Sequence, residues 1–363
     1  MTMIYKIGII VFIALIFWFF LLELKKRRKL NIERYSLVLI VRTEKGKEVI
    51  KKLSKFKRFW KIVGNIGILT AFIGMIAIFL FIYSSLYSKY ILRKTIGGVM
   101  PVIPGVTIPF WYGIFALCTV IIVHEFAHGV IARCENIKIK NLGVVLLTSI
   151  PIGAFVEPNE EELKKSNLKT KLRVYSAGSF ANLFLALISI GIILGFYSFF
   201  ISQSVEIINV VEDSPAYGIL EEGMVIKSIN GIKINSMDEF REIATNLKPG
   251  DTIIIKTNKG TFKIKTGKNP KNPDRGYIGI IVTSPLKEGM PGYVYMFLYW
   301  VFLLNQGIGL INLAPIHFGV AATDGYYILK EVLSRLISYG NAEKIAIFIS
   351  ATNILAILSL LIH

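Results

Sequence analysis

Val123-His124-Glu125-Phe126-Ala127-His128-Gly129 is the stretch on which the reading of this 363-residue chain turns. It lies within a mostly apolar run from Phe110 to Ala132, about twenty residues and long enough to cross a bilayer as a helix. Residues four apart share a helix face, so His124 and His128 project side by side and can offer two imidazole nitrogens to one metal ion. Glu125 is rotated off that pair, where a carboxylate reaches a metal-bound water rather than the metal. The competing reading is a pair of satisfied histidines in a helical bundle. Inside a membrane span that is costly unless the three polar groups pair with one another or bind something. The motif therefore points to metal-assisted hydrolysis at membrane depth.

Composition agrees with the membrane address. The chain is 53% hydrophobic with a mean hydropathy of +0.58, values of a polytopic membrane protein rather than a soluble domain. Its net charge of +18 suggests nucleic acid until the distribution is considered. Residues 24 to 61 hold fifteen Lys and Arg against three Glu, so twelve of the net charges sit in one loop between apolar spans. The positive-inside rule places that loop in the cytoplasm, where anionic lipids are its expected partner. No nucleic-acid-binding motif accompanies it, and no nucleic acid is expected. Cys118 and Cys134 are sixteen residues apart on one helix, about 24 Å, too far for a disulfide.

Taken in order, Ile7 to Leu24 reads as a retained first span, because its strong charge, Lys25-Lys26-Arg27-Arg28-Lys29, follows rather than precedes it. In the basic arm, Tyr35 to Val41 is a β-rich run. Lys47 to Lys61 has helical periodicity, with Val49, Leu53, Phe56 and Trp60 on one face. That face suits a helix on the membrane surface or one packed on the protein itself. A second span is expected from Ile62 to Tyr83, and residues 84–109, with three prolines and Gly97-Gly98, as an outer loop or partly re-entrant segment. The third span carries the motif, with His128 only five residues, about 7 Å, from Arg133 at the cytoplasmic end. Residues 140–157 read as a strand or hairpin at membrane depth, followed by a charged helix start at Glu160-Glu161-Glu162. A fourth span, Tyr175 to Phe200, contains Gly178-Ser179-Phe180-Ala181-Asn182, a Gly and an Asn on one face. Asn269 to Gly292 reads as a linker, and spans over Tyr293 to Leu313 and Ile345 to Ile362 complete a count of six, with a moderately polar helix from Asp324 to Tyr339 between them.

Residues 203–284 change character, with short Val- and Ile-rich runs punctuated by Gly and Asn. Ser214-Pro215-Ala216, Gly223-Met224-Val225-Ile226, Ile229-Asn230-Gly231 and Leu247-Lys248-Pro249-Gly250-Asp251 resemble a PDZ domain, a fold that receives extended peptides on a sheet edge. Met224 stands where that family often has Asp. The span count places this module outside the cytoplasm.

Catalytic zinc generally takes three protein ligands, and Glu157, His317 and Asp324 are candidates for the third. Together, the HExxH motif in a membrane helix, the Gly-xxx-Asn span, the inserted PDZ-like module, and Asn312-Leu313-Ala314-Pro315 followed by Asp324-Gly325 resemble the site-2 protease family of intramembrane zinc metalloproteases. The resemblance runs from roughly residue 110 to the C-terminus and implies Asp324 as the third ligand. One departure stands out: the family usually spaces that Pro and Asp by four residues, and here eight, Ile316 to Thr323, intervene. They could bulge and leave Asp324 in place, or bring His317 to the metal.

The expectations are as follows. The fold is a polytopic α-helical membrane protein of about six spans, with a membrane-associated β-hairpin segment and one inserted soluble PDZ-like α+β domain. Residues 1–61 form the first span and basic arm, 62–202 the membrane core with the HEFAH helix, 203–285 the PDZ-like domain, and 286–363 the C-terminal membrane core. One zinc ion per chain is held by His124, His128 and Asp324, with Glu125 as general base. Asn182, Asn312, Gly153 and Phe155 position substrate, and the strand segment receives the unwound stretch. The protein is a multi-pass protein of the cell membrane, its active site toward the cytoplasmic side, and its substrates are single-span membrane proteins. The rivals are a catalytically inactive membrane PDZ scaffold or pseudoprotease, favoured by the long Pro315 to Asp324 path, and a membrane zinc protease of the prenyl-protein type, which needs a downstream helical Glu.

Overall fold

The computed structural model describes residues 31–35, 38–42, 45–93, 101–147, 150–319 and 321–361. The expected first span, Ile7 to Leu24, lies outside them. The chain divides into two compact units, Met1–Ile190 with Tyr299–His363, and Gly191–Leu298.

The first unit begins with strands β1 (Asn31–Tyr35) and β2 (Val38–Arg42), helix α1 (Lys45–Leu53) and the long helix α2 (Lys57–Tyr90). Helix α3 (Phe110–Cys134) carries the HEFAH motif and is followed by β3 (Ile139–Leu147) and β4 (Ile150–Pro158). Then come the short α4 (Glu160–Lys165), capped by the Asn159 side chain, and α5 (Leu168–Gly195). β1 to β4 form one antiparallel sheet in the order β1-β2-β3-β4, so β4 is an end strand. The expected hairpin over 140–157 is thus β3–β4, and the run at 35–41 contributes β2, paired to β3 with Val41 opposite Val144.

The second unit continues with α6 (Tyr197–Phe200), β5 (Val205–Val210), β6 (Val225–Ile229), β7 (Ile232–Lys233), α7 (Met237–Asn246), β8 (Thr252–Thr257), β9 (Thr261–Lys265), β10 (Gly267–Asn269), β11 (Asn272–Tyr277) and β12 (Ile280–Thr283). Its main sheet runs β12-β5-β6-β8-β9, with β7 on β6. Alternation builds the core: in β8, Ile253 and Ile255 are buried while Ile254 faces outward, as the period of two in a strand requires. Met224, which stands where PDZ domains often have Asp, is buried in that core. The last helices are α8 (Met290–Ile311), α9 (Asp324–Leu333) and α10 (Tyr339–Leu361).

Among the described residues five helices, α2, α3, α5, α8 and α10, are long and apolar enough to cross a membrane. Their packing rests on small residues. A side chain at Gly67 of α2 would press on Ser176 and Phe180 of α5, one at Gly129 of α3 on Ile50 and Val156, and one at Gly309 of α8 on Asn182 and Leu183. At one end of the bundle Arg173 holds α5 to its neighbours, donating to Glu135 at 2.6 Å and to Asn65 at 2.9 and 3.0 Å.

Five sequence expectations need correction. Lys47 to Lys61 is not one helix: the chain turns at 54–56, where Trp60 Nε1 donates to the Leu53 carbonyl at 2.8 Å. The buried residue of α1 is Ile50, seated over Gly129, while Val49 and Leu53 remain exposed, so α1 packs on the protein. The second span does not stop at Tyr83. Ser84 to Tyr90 contains no Gly or Pro and continues as helix, held to α10 by Tyr83 on Asn353 and Lys89 on the Ser359 carbonyl. The fourth span starts at Leu168, where the Asn167 side chain accepts from the Thr170 amide, and ends at Gly195 rather than Phe200. Asn269 to Gly292 is not a plain linker: it holds β11 and β12, and β12 joins the main sheet because Ile278, Ile280 and Val282 pack against the core. The helix after Asp324 ends at Leu333 rather than Tyr339, which instead begins α10.

Candidate metal centre

His124 and His128 lie one turn apart on α3, with their Nε2 atoms 3.1 Å from each other. Asp324, at the first position of α9, meets both: Oδ2 is 3.6 Å from His124 Nε2 and Oδ1 is 3.3 Å from His128 Nε2. All three ligand atoms lie within 4.8 Å of one another, and among the described residues they are the group that can share one ion. Three donors placed about 2.0–2.2 Å from a tetrahedral centre stand about 3.3–3.6 Å apart, close to the 3.1–3.6 Å observed, so the two imidazoles and the carboxylate are a donor set that fits zinc.

The eight-residue path to Asp324 pairs its two ends with each other. His317 bridges to Ala322, the Phe318 amide donates to the Ala321 carbonyl at 2.8 Å, and the Thr323 amide donates to the Ile316 carbonyl at 2.9 Å. Thr323 Oγ1 accepts from the Ile316 amide at 3.0 Å and donates to the Ala314 carbonyl at 2.6 Å. The insertion is therefore closed at its base, and Asp324 follows directly on that closure. Next to it the Gly325 amide donates to the Asn312 carbonyl at 2.9 Å, and a Cβ at Gly325 would run into the Leu313 carbonyl, so no side chain fits. The Asn312-to-Pro315 turn and the Asp-Gly pair are one locked unit. His317 is not part of the ligand group: its Nδ1 accepts from the Gly319 amide at 3.3 Å, its own amide donates to Ser350 Oγ at 2.6 Å, and its ring lies against Tyr326.

Helix α5 supports all three ligands from one face. His128 Nδ1 is 2.7 Å from the Val174 carbonyl, which can only accept, so Nδ1 carries the proton and Nε2 keeps a free lone pair. Ser179 Oγ donates to Asp324 Oδ2 at 2.8 Å, and the Asn182 amide lies 3.2 Å from His124 Nδ1. Gly178 is the floor: a Cβ there would overlap the Nε2 atoms of both histidines. The sequence showed Gly178 and Asn182 as a packing face. Ser179 carried no signal of its own, and a backbone carbonyl such as that of Val174 carries none at all.

Glu125 Oε2 accepts from the Val156 amide of β4 at 2.8 Å, which fixes the carboxylate beside the ligands and aims that edge of β4 at the site. A cavity of about 300 Å³ opens there, lined by His124, Glu125, His128 and Asp324 together with Gly153, Ala154 and Asn312. Of the residues expected to position substrate, Gly153 and Asn312 line it. Asn182 is buried on the His124 ring, and Phe155 lies across Gly143 with the Arg42 guanidinium 5.5 Å from its ring.

Comparison with known proteins bears on this geometry. Residues 112–359 match the family model described as Peptidase family M50. An uncharacterized protein of Methanocaldococcus jannaschii is 33% identical over 91% of this chain and 88% of its own length. A membrane-bound transcription factor site-2 protease homolog of Arabidopsis thaliana is 28% identical over 47% of this chain and 33% of its own length. A Clostridium perfringens protein named as a candidate zinc metalloprotease is 28% identical over 49% of this chain and 59% of its own length. Among solved structures, the PDZ domain of an SdrC-like protein from Listeria innocua is 36% identical over 23% of this chain and 96% of that one, with a TM-score of 0.21.

Proposed function

The chain belongs to peptidase family M50, the site-2 protease family, and from that premise we propose that it hydrolyses peptide bonds within or beside the transmembrane segments of single-span membrane proteins. The observation that carries the reading is the meeting of His124, His128 and Asp324 in one cavity with Glu125 and the outer edge of β4.

His124, His128 and Asp324 would hold one zinc ion, which supplies a Lewis acid for the scissile carbonyl and for the attacking water. The carboxylate of Glu125 takes a proton from that water as its oxygen bonds to the carbonyl carbon, then delivers the proton to the nitrogen of the leaving amine as the C–N bond breaks. A helical substrate hides its carbonyls in its own hydrogen bonds, so it must unwind before it reacts. Antiparallel pairing gives alternate residues of a strand the same edge, so Ala154 shares with Val156 the edge that faces Glu125. That edge can receive an unwound stretch by β-augmentation, with Asn312 lining the same cavity. The second unit would select substrates by their outer portions, as the PDZ resemblance implies, and would be extracytoplasmic with the basic arm in the cytoplasm. The meeting of Asp324 with the histidines despite the longer path supports the protease reading over the pseudoprotease one.

The test is cleavage of a single-span substrate by the purified protein in lipid vesicles, with the cut mapped by mass spectrometry. Cleavage is expected inside the span, to stop with a zinc chelator and return with zinc, and to quicken when Gly or Pro loosens the substrate helix at the cut. Cleavage confined to soluble parts of the substrate, or unaffected by the chelator, contradicts the proposal.

A further inference from the structure

We propose that Asn182 is a positioning residue for His124, and that it acts by accepting the Nδ1 proton of His124 through its amide oxygen. The inference rests on the zinc-site reading above and concerns how one ligand is held.

Asn182 is fully buried on α5, with its amide nitrogen placed 3.2 Å from His124 Nδ1. Its amide oxygen is buried with no hydrogen-bond partner. For His124 to offer the Nε2 lone pair to the ion that His128 and Asp324 share, a neutral imidazole must carry its proton on Nδ1. An N–H facing an NH2 group sets two donors against each other. A half-turn of the amide exchanges two atoms of nearly equal size and puts the oxygen on Nδ1–H. This single change gives the oxygen a partner, leaves the NH2 in the oxygen's former place, and adds a side-chain acceptor to the Gly178 backbone hydrogen bond that His124 already makes. It also makes the two histidines alike, since His128 Nδ1 donates to the Val174 carbonyl two turns earlier on the same face of α5. Gly309 of α8 lies against the Asn182 Cβ and holds the side chain in place.

Competition with a chromogenic chelator, on protein purified in detergent, measures zinc affinity apart from catalysis. Asn182→Leu, which keeps the bulk and loses the acceptor, is expected to weaken zinc binding about 10–100-fold. Asn182→Asp has acceptors only and is expected to bind zinc at least as tightly as the wild type. An Asn182→Asp protein as weak as Asn182→Leu would show that Asn182 donates, and an Asn182→Leu protein with wild-type affinity would show that it does not position His124. Either overturns the proposal. Each variant is first compared with the wild type for its melting midpoint, and if the leucine variant is not folded, Asn182→Ala takes its place. A wild-type protein that binds no zinc defeats the zinc-site reading itself, an outcome distinct from these.

Discussion

Glu125→Gln is expected to slow peptide hydrolysis about 10²–10⁴-fold while zinc stays bound, because the amide keeps the size of the carboxylate and loses its capacity to take a proton. The structure makes this a clean substitution. The Val156 amide donates to Glu125 Oε2, and the carbonyl oxygen of a glutamine accepts the same bond. The side chain therefore stays beside the cavity and the β4 edge is undisturbed. Cleavage assays and metal analysis on one preparation separate the two effects. A variant that cuts at the wild-type rate would remove Glu125 from the chemistry.

Gly178→Val is expected to abolish function by a different route. Any Cβ at this position meets the Nε2 atoms of both histidines, and those rings cannot retreat without leaving Asp324. Displacing catalytic groups by about 1 Å costs about 10²-fold in rate, and here the ligands themselves are displaced, so zinc affinity should fall with activity. Gly191, on the same helix, has nothing within 4 Å of its Cβ position and serves as the control. Gly191→Ala should leave zinc and cleavage unchanged. Full zinc occupancy in Gly178→Val would show that the floor of the site is not where α5 places it.

Much of this centre was legible in the residues because its parts obey short-range rules. Two histidines four apart on an apolar run must share a helix face, and the 140–157 segment, apolar and rich in Gly and Pro at membrane depth, had few options other than a hairpin. Asp324 was reached through the family resemblance, and the eight residues before it were ambiguous. What decides them is the bonding of Thr323 to Ala314 and Ile316, a closure visible only once the chain is folded. The break between α1 and α2 was hidden for a related reason. Lys47 to Lys61 keeps a helical period through residues 54–56, and the turn there depends on Trp60 reaching the Leu53 carbonyl. The linker reading of Asn269 to Gly292 failed because Pro and Gly outweighed Ile278, Ile280 and Val282, whose pairing with β5 is long-range. The support from α5 was half legible, as a Gly and an Asn on one face, and half carried by the backbone carbonyl of Val174.

The most direct measurement is the zinc content of the purified wild type, Asp324→Ala and His317→Ala. One zinc per chain is expected in the wild type and in His317→Ala, with loss of most of it in Asp324→Ala. Zinc retained by Asp324→Ala and lost by His317→Ala would contradict the centre described here.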